Sequence, residues 1–368
     1  MIMIDIEVKE GSAEIEVAEG VFFNPKMKCL RDISVAFLNA IGSKGNSLID
    51  CTSATGIRGI RYFKEAGISG LTLLDTNEKA AKNTLKNLKK NRIKAVSLNI
   101  DLEKFAAGSE QKFNIIDLDP FGSPAPYVRD ILKISEDGTI VMLTATDTAV
   151  LCGAHSKACV KQYASAPMHN HLCKEAGIRI LISYFMRKAS EFNFGTELLI
   201  SISDMHYMRL FLRLRKGAQK AYDSMMQTGF GAYCNSCFSF SCMPGIAPAI
   251  SSVCHACGSK TKLFGPIFLG KLNDKALAGK MLKEMDESGC GYKTISAVCK
   301  ELDTPFFYHL PTLTRKLKTS SVPFHKVSEI LEEKGFICTR TAFNESGIKT
   351  DAPIAELLSA ISKAKELR

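Results

Sequence analysis

Short apolar runs alternate with segments of helical period from Ser47 to about Leu214. Residues 47–50 read as a first strand, and residues 56–66 as a helix with Ile57, Ile60 and Phe63 at helical spacing. Residues 71–75 read as a second strand, followed by a Lys-rich helical segment over 78–91. Residues 95–101, 113–119 and 139–146 read as strands three to five. Short, nearly continuous apolar strands separated by helices predict a parallel sheet covered on both faces. That doubly wound α/β architecture binds ligands at the C-terminal ends of its strands.

The pattern changes after Lys216. Residues 230–262 are rich in Cys, Ser and Gly and poor in helix formers, and residues 265–269 read as a strand returning to the first domain. From Asp274 the chain is mostly helical. A helix over 321–335 and a strand over 337–340 predict a small winged-helix-like unit. A chain of 368 residues suits two domains, and 46% hydrophobic content supports packed cores. No apolar run reaches the roughly 18 residues of a transmembrane helix. Residues 1–20 mix Glu, Lys and Val without the basic start and apolar stretch of a secretory signal. A soluble, cytoplasmic protein is expected. The net charge of +10 suits a polyanionic partner, because Lys and Arg displace counterions from phosphates.

The loop Asp50-Cys51-Thr52-Ser53-Ala54-Thr55-Gly56-Ile57-Arg58-Gly59 joins a strand to a helix. Its small residues let backbone pass close to a ligand at a helix N-terminus. Asp75 ends the next strand, where an acid accepts hydrogen bonds from the ribose hydroxyls of a nucleoside cofactor. Asp101 ends the third strand and is placed to hold an adenine amine, with Leu102 packing on the ring. Asp119 ends the fourth. Successive strands closing on Asp50, Asp75, Asp101 and Asp119 converge on one crevice. Nicotinamide cofactors share this ribose logic, so the acids alone leave the cofactor open.

Asp117-Leu118-Asp119-Pro120-Phe121-Gly122-Ser123-Pro124 is the most informative stretch. It is similar to the Asp-Pro-Pro-Tyr motif of methyltransferases that act on planar amino groups. The lone pair of an exocyclic amine is delocalised into its base, so the amine is a poor nucleophile. The Asp119 carboxylate and the Pro120 carbonyl can each accept one N–H, which draws the nitrogen toward tetrahedral geometry. Phe121 can stack on the base, worth about 1–3 kcal/mol. The prolines preset φ. Catalysis is then mostly positioning, with Asp119 also available to take the released proton. Asp117 reads as structural, as do His155, His169 and His171.

Four of the thirteen cysteines form Cys234-x2-Cys237 and Cys254-x2-Cys257, separated by 16 residues. That spacing predicts a zinc ribbon with a closed four-thiolate cage, hence a structural Zn2+. Cys242 lies between the pairs at a worse spacing. The remaining cysteines, Cys29 and Cys290 among them, read as scattered small hydrophobes, and the odd total argues against a disulfide framework.

Taken together, these strings resemble the tRNA guanine-26 N2-dimethyltransferase family. Glu19-Gly20-Val21-Phe22-Phe23-Asn24-Pro25 leads to Arg31-Asp32, and Ser53 to Arg58 looks like the family's cofactor loop. Residues 117–124 match its catalytic motif, and Thr144-Ala145-Thr146-Asp147 with Leu151-Cys152-Gly153 its fifth-strand region. Thr339-Arg340-Thr341 and Gly347-Ile348-Lys349-Thr350 resemble its C-terminal signature.

The resemblance implies a Rossmann-like class I SAM-dependent methyltransferase domain over residues 1–270. The zinc ribbon would be inserted at 230–262, and a smaller, mostly helical α+β domain that binds tRNA would follow at 271–368. It implies S-adenosyl-L-methionine (SAM) as donor and one or two methyls added to guanine N2. Arg31 and Arg58 are expected near the cofactor, with Arg61 a competitor, because an Arg pairs bidentately with a carboxylate. Asp75 and Asp101 inherit ribose and adenine contacts, and Asp119 the catalytic role. The alternatives are another RNA or DNA amino-group methyltransferase and a noncatalytic RNA-binding protein on a relic fold.

Lys79, Lys82, Lys86, Lys89, Lys90 and Arg92 read as a solvated helix face, and Arg209, Arg213, Arg215, Lys216 and Lys220 as a second basic cluster. Arg315, Lys316, Lys318, His325, Lys326 and Arg340 are the preferred tRNA platform.

Overall fold

A computed structural model of the chain describes residues 6–204 and 206–366. Seven strands form the central sheet: β1 (Ser47–Asp50), β2 (Gly70–Asp75), β3 (Val96–Asn99), β4 (Ile115–Leu118), β5 (Ile140–Ala145), β6 (Phe194–Ser203) and β7 (Met208–Lys216). Their spatial order is β3-β2-β1-β4-β5-β7-β6. The first five are parallel, and β7 runs antiparallel between β5 and β6. The strand order reverses between β1 and β4, so the crevice opens at their C-terminal ends.

Helices α1 (Lys28–Ala40), α2 (Ile57–Ala66) and α3 (Glu78–Lys90) cover one face, together with the N-terminal hairpin Ile6–Glu10/Ala13–Val17. Helices α4 (Leu102–Gly108), α5 (Val128–Lys133) and α6 (Cys173–Ser190) cover the other. The inner strands β1, β4 and β5 are buried on both faces, which accounts for their unbroken apolar runs, whereas the edge strand β3 is largely exposed. Local chemistry sets the helix starts. Gly56, at φ 78°, opens α2, and the Asn77 and Asp101 side chains accept backbone N–H groups at the starts of α3 and α4. The Lys-rich face of α3 is largely neutralised, since Lys82, Lys86 and Lys90 pair with Glu78, Glu16 and Glu7.

Strands β8 (Thr228–Cys234), β9 (Phe240–Pro244) and β10 (Thr261–Phe268) form a separate antiparallel sheet in the order β9-β8-β10. The strand expected at 265–269 therefore does not join the central sheet. It pairs with β8, and the sheet packs against α6.

Helices α7 (Lys275–Lys283) and α8 (Cys290–Lys300) lie beyond the expected boundary at residue 270, yet they pack on α1 and share its core. Cys29 of α1 and Cys290 of α8 are joined by a disulfide with Cα atoms 5.8 Å apart. This corrects the reading of both as isolated hydrophobes.

A third unit combines β11 (Tyr308–His309), β12 (Cys338–Thr341) and β13 (Asn344–Thr350), ordered β11-β13-β12, with α9 (Leu310–Lys316), α10 (Phe324–Glu333) and α11 (Ile354–Glu366). It has its own core around Leu313, Val327, Leu331, Ile348, Leu357 and Ile361. The helix and strand expected over 321–340 are α10 and β12.

Buried charge fastens this third unit to α6. The Lys349 ammonium lies 3.3 Å from Glu175 and 3.0 Å from Glu301, and it donates to the Thr304 carbonyl. Glu175 also accepts from Arg179 and from the Phe306 backbone N–H. All four ionic side chains are nearly solvent-free. Burial would raise the Glu175 pKa, but Lys349 and Arg179 outweigh it and hold the group below its ordinary value. For Glu301 burial wins, and its pKa is raised despite Lys349. Among the described residues no helix is long and apolar enough to cross a membrane.

Candidate active site and four-cysteine cluster

The loop after β1 is tied to its neighbours through backbone groups. Cys51 N–H donates to the Asp117 carbonyl and Ser53 N–H to the Leu74 carbonyl, and Thr84 and Asn87 bind the carbonyls of Ala54 and Thr55. Gly56 needs its hydrogen side chain, since its φ is positive and a Cβ would lie 3.0 Å from Thr84. Asp75 holds the loop from β2. One carboxylate oxygen accepts Ala54 N–H at 2.8 Å and the other accepts Asn77 N–H. Each oxygen keeps a second lone pair for a hydroxyl. Asp101 caps α4 through Glu103 N–H, and Leu102 is packed in the core beside it.

Beneath the loop lies a buried ionic network. Asp117 accepts from Tyr62 hydroxyl at 2.7 Å and from Arg209 at 2.8 Å, and Arg209 also reaches Thr144. Arg58, in the first turn of α2, sits 3.7 Å from Asp117 and pairs with the Asp119 carboxylate. Burial would raise Asp117, but Arg209 and Arg58 keep its pKa low, which fits the structural role expected of it. Asp50 is pushed up to about 7, first by burial and then by the Asp117 charge. Three acids, Asp50, Asp117 and Asp119, thus share two guanidiniums, and Asp50 is the one whose charged form burial disfavours on balance. Arg209 is wholly buried here, so it leaves the basic surface cluster in which sequence reasoning had placed it. Arg213 and Arg215 pair with Glu197.

Asp119 emerges from the end of β4 with 15% of its side chain open, Pro120 is buried, and Phe121 is 76% exposed. The motif is braced from β5 onward. Gly122 N–H donates to Thr146 hydroxyl, and Ser123 hydroxyl meets Tyr163, which donates to Asp147. The family-like string Thr144 to Asp147 therefore has a physical task, which is to anchor Arg209 and the loop that carries Phe121. Phe121 meets Phe22 edge-to-face at 4.7 Å. Phe22 was not assigned a role from sequence. Its only signal was an aromatic pair beside a Pro, and the contact spans 99 residues.

Arg31 is buried in α1, where its guanidinium forks onto Glu10 at 2.7 and 2.6 Å and lies over Phe23. Arg61 binds Glu10, Asp32 and Glu65. Both therefore clasp the N-terminal hairpin to the domain. Arg58 is the guanidinium that faces the strand-end acids.

Four buried side-chain atoms lack hydrogen bonds here, Asp50 Oδ2, Ser53 Oγ, Arg58 Nη1 and Arg209 Nε. An unmet carboxylate acceptor and an unmet guanidinium donor on one loop are the chemical complement of an amino acid's ammonium and carboxylate, so these donors suit the methionine end of SAM. His171 stacks on His309 at 5.0 Å, and burial together with His309 pushes its pKa down to about 4.

The sulfurs of Cys234, Cys237, Cys254 and Cys257 all lie within 4.8 Å of one another. Tetrahedral zinc–thiolate geometry requires sulfurs about 3.8 Å apart. The two knuckles are alike: Cys234 and Cys254 N–H groups donate to the carbonyls of Ser239 and Ser259, with Phe238 and Gly258 at positive φ. The arrangement suits Zn2+ with no open position. Cys242 packs against the main core instead. The ribbon touches the third unit, where Lys316 donates to the Ser236 carbonyl and lies over Phe238.

The family profile described as N2,N2-dimethylguanosine tRNA methyltransferase matches residues 3–362. A tRNA (guanine(26)-N(2))-dimethyltransferase of Pyrococcus horikoshii is 32% identical, covering 97% of this chain and 98% of the relative. That of Methanothermobacter thermautotrophicus is 33% identical, covering 96% and 97%. The solved complex of Trm1 from Pyrococcus horikoshii with S-adenosyl-L-methionine superposes with a TM-score of 0.90, covering 97% of this chain and 99% of that one.

Proposed function

The chain belongs to the N2,N2-dimethylguanosine tRNA methyltransferase family, and on that premise we propose that it is a cytoplasmic enzyme that transfers one or two methyl groups from SAM to the exocyclic N2 amine of guanine 26 in tRNA. The observation that carries this reading is Asp119-Pro120-Phe121 standing at the end of β4, beside the Asp50–Arg58 loop and in contact with Arg58.

SAM, when bound, supplies the electrophilic methyl. Asp75 takes the ribose hydroxyls and Asp101 the adenine amine, with Leu102 beside the ring. Arg58 and Asp50 complement the carboxylate and ammonium, while Arg31, forked onto Glu10, would act on the site by holding the segment around Asn24. The base enters after extrusion from the tRNA stack. Phe121, exposed and braced by Phe22, offers its ring to the base face. Asp119 and the Pro120 carbonyl accept the two amine hydrogens, which localises the nitrogen lone pair, and Asp119 takes the proton released on methylation. A monomethylated amine keeps one N–H for Asp119, so the same geometry serves a second transfer. A structural Zn2+ in the four-cysteine cage shapes the ribbon.

The test is incubation with tRNA and labelled SAM, then identification of the modified nucleoside by mass and position. Methylated guanosine at position 26 is expected. Asp119→Ala should lower kcat by about 10²–10⁴-fold while the SAM Kd stays within about threefold. Near-normal turnover in that variant refutes the mechanism.

A further inference from the structure

A groove of about 460 Å³ runs between α8 and β12, outside the site already described. One wall is a single face of α8, bearing Tyr292, Lys293, Ser296, Ala297 and Lys300 at helical spacing; the other is Arg340 and its neighbour on β12. Lys293 and Lys300 are exposed, and neither has an ion-pair partner among the described residues. Arg340 is held over the Phe324 ring and donates to the Glu345 carbonyl. Glu287 is the one acid in the lining. Small side chains at Ser296 and Ala297 keep the floor open between the cations, and Tyr292 adds an aromatic wall.

The position of the groove matters as much as its charge. The Cys29–Cys290 disulfide joins the first residue of α8 to the start of α1. Only a short segment separates Cys29 from Phe22, which touches Phe121 at the mouth of the crevice. The disulfide therefore ties the start of α8, the helix that walls the groove, to the chain segment that leads back to Phe22. On α3, by contrast, Lys82, Lys86 and Lys90 are paired with Glu78, Glu16 and Glu7, which leaves Lys79 and Lys89 as its unpaired lysines among the described residues.

We propose that this α8/β12 groove is a docking site for the tRNA backbone flanking the extruded guanine, with Lys293, Lys300 and Arg340 meeting phosphates and Tyr292 meeting an unstacked base or ribose. The inference rests on the tRNA reading above and adds where the rest of the substrate lies. Phosphate contacts of this kind position a substrate without reading its sequence.

The test compares two charge-matched double variants in the full chain, Lys293→Ala/Lys300→Ala and Lys82→Ala/Lys90→Ala. Binding of unmodified tRNA is measured by fluorescence anisotropy over a salt series, alongside methylation kinetics, SAM binding and thermal unfolding. The groove variant should weaken tRNA binding about tenfold or more and flatten the log–log salt slope by about two. Its KM for tRNA should rise while kcat and SAM affinity hold. The α3 variant should change the tRNA Kd by less than about twofold. Equal losses in both variants, or none in the groove variant, overturn the proposal. Tight, salt-dependent tRNA binding by a wild-type protein that fails to methylate guanine would sink the enzymatic reading while leaving the groove test intact.

Discussion

Replacing Lys349 with Met isolates what the buried charge cluster contributes. The substitution keeps most of the side-chain volume but removes the ammonium that faces Glu175, Glu301 and the Thr304 carbonyl. Glu175 retains Arg179 and Phe306 N–H, whereas Glu301 retains only the Thr341 hydroxyl. Glu301 is then a buried carboxylate without a cation, and it takes up a proton. Holding that proton at pH 7, against an ordinary value of 4.5, costs at most about 3.4 kcal/mol at 1.36 kcal/mol per unit. The orphaned Thr304 carbonyl adds about 1 kcal/mol. The sum falls within the roughly 3–5 kcal/mol typical of breaking a buried pair. The sign of the pH dependence follows from the same group. A folded-state pKa raised above the unfolded one gives stability that is full at low pH and lost as pH rises. The Lys349→Met deficit should therefore shrink to about half between pH 7 and pH 5.5. Urea unfolding of wild type, Lys349→Met, Glu301→Gln and the double variant at both pH values reads this directly. The double variant should recover much of the loss and its pH dependence. A deficit under about 1 kcal/mol, or one independent of pH, would refute the account.

Phe121→Ala and Phe22→Ala should each lower kcat/KM for tRNA, by about 5- to 150-fold for a stacking loss of about 1–3 kcal/mol, and leave SAM binding intact; steady-state kinetics check this. Metal analysis should find one Zn per chain. Chelation should expose the ribbon amides to hydrogen exchange while the central sheet stays protected. Asp50, with a folded pKa raised to about 7, destabilises the ligand-free protein progressively as pH rises from about 4 to 7. Asp50→Asn should flatten that part of the stability profile and weaken SAM binding above pH 7, as seen by thermal unfolding and calorimetry.

The five parallel strands and their terminal acids were legible because both signals are local. An apolar run identifies a doubly covered strand, and an acid at its end stands out against it. The cysteine cage was legible from spacing alone. Pairings across the sheet were harder. Arg209 reads as surface charge because it stands in a basic cluster with Arg213, Arg215, Lys216 and Lys220. The stronger signal was an Arg within one apolar strand and an Asp, Asp117, within another. Two opposite charges that each lack a polar neighbourhood point to each other. The Arg31–Glu10–Arg61 clasp had no such signal, since Glu10 sits in a hairpin of ordinary alternating polarity. Phe22 and the Cys29–Cys290 bridge both depend on how the chain ends fold back over the sheet, which no local pattern records.

The β11–β13 unit is bolted to the catalytic domain twice, by Lys349 beneath α6 and by Lys316 on the ribbon. If this unit grips tRNA as proposed, contacts on two of its sides oppose swivelling relative to the crevice. It would then act as a caliper, in which the gap between the jaws, rather than the letters of the RNA, decides which nucleotide arrives at Asp119. Transcripts that preserve this span should be modified alike whatever their sequence, and adding or removing one base pair between the gripped region and the target guanine should defeat the enzyme.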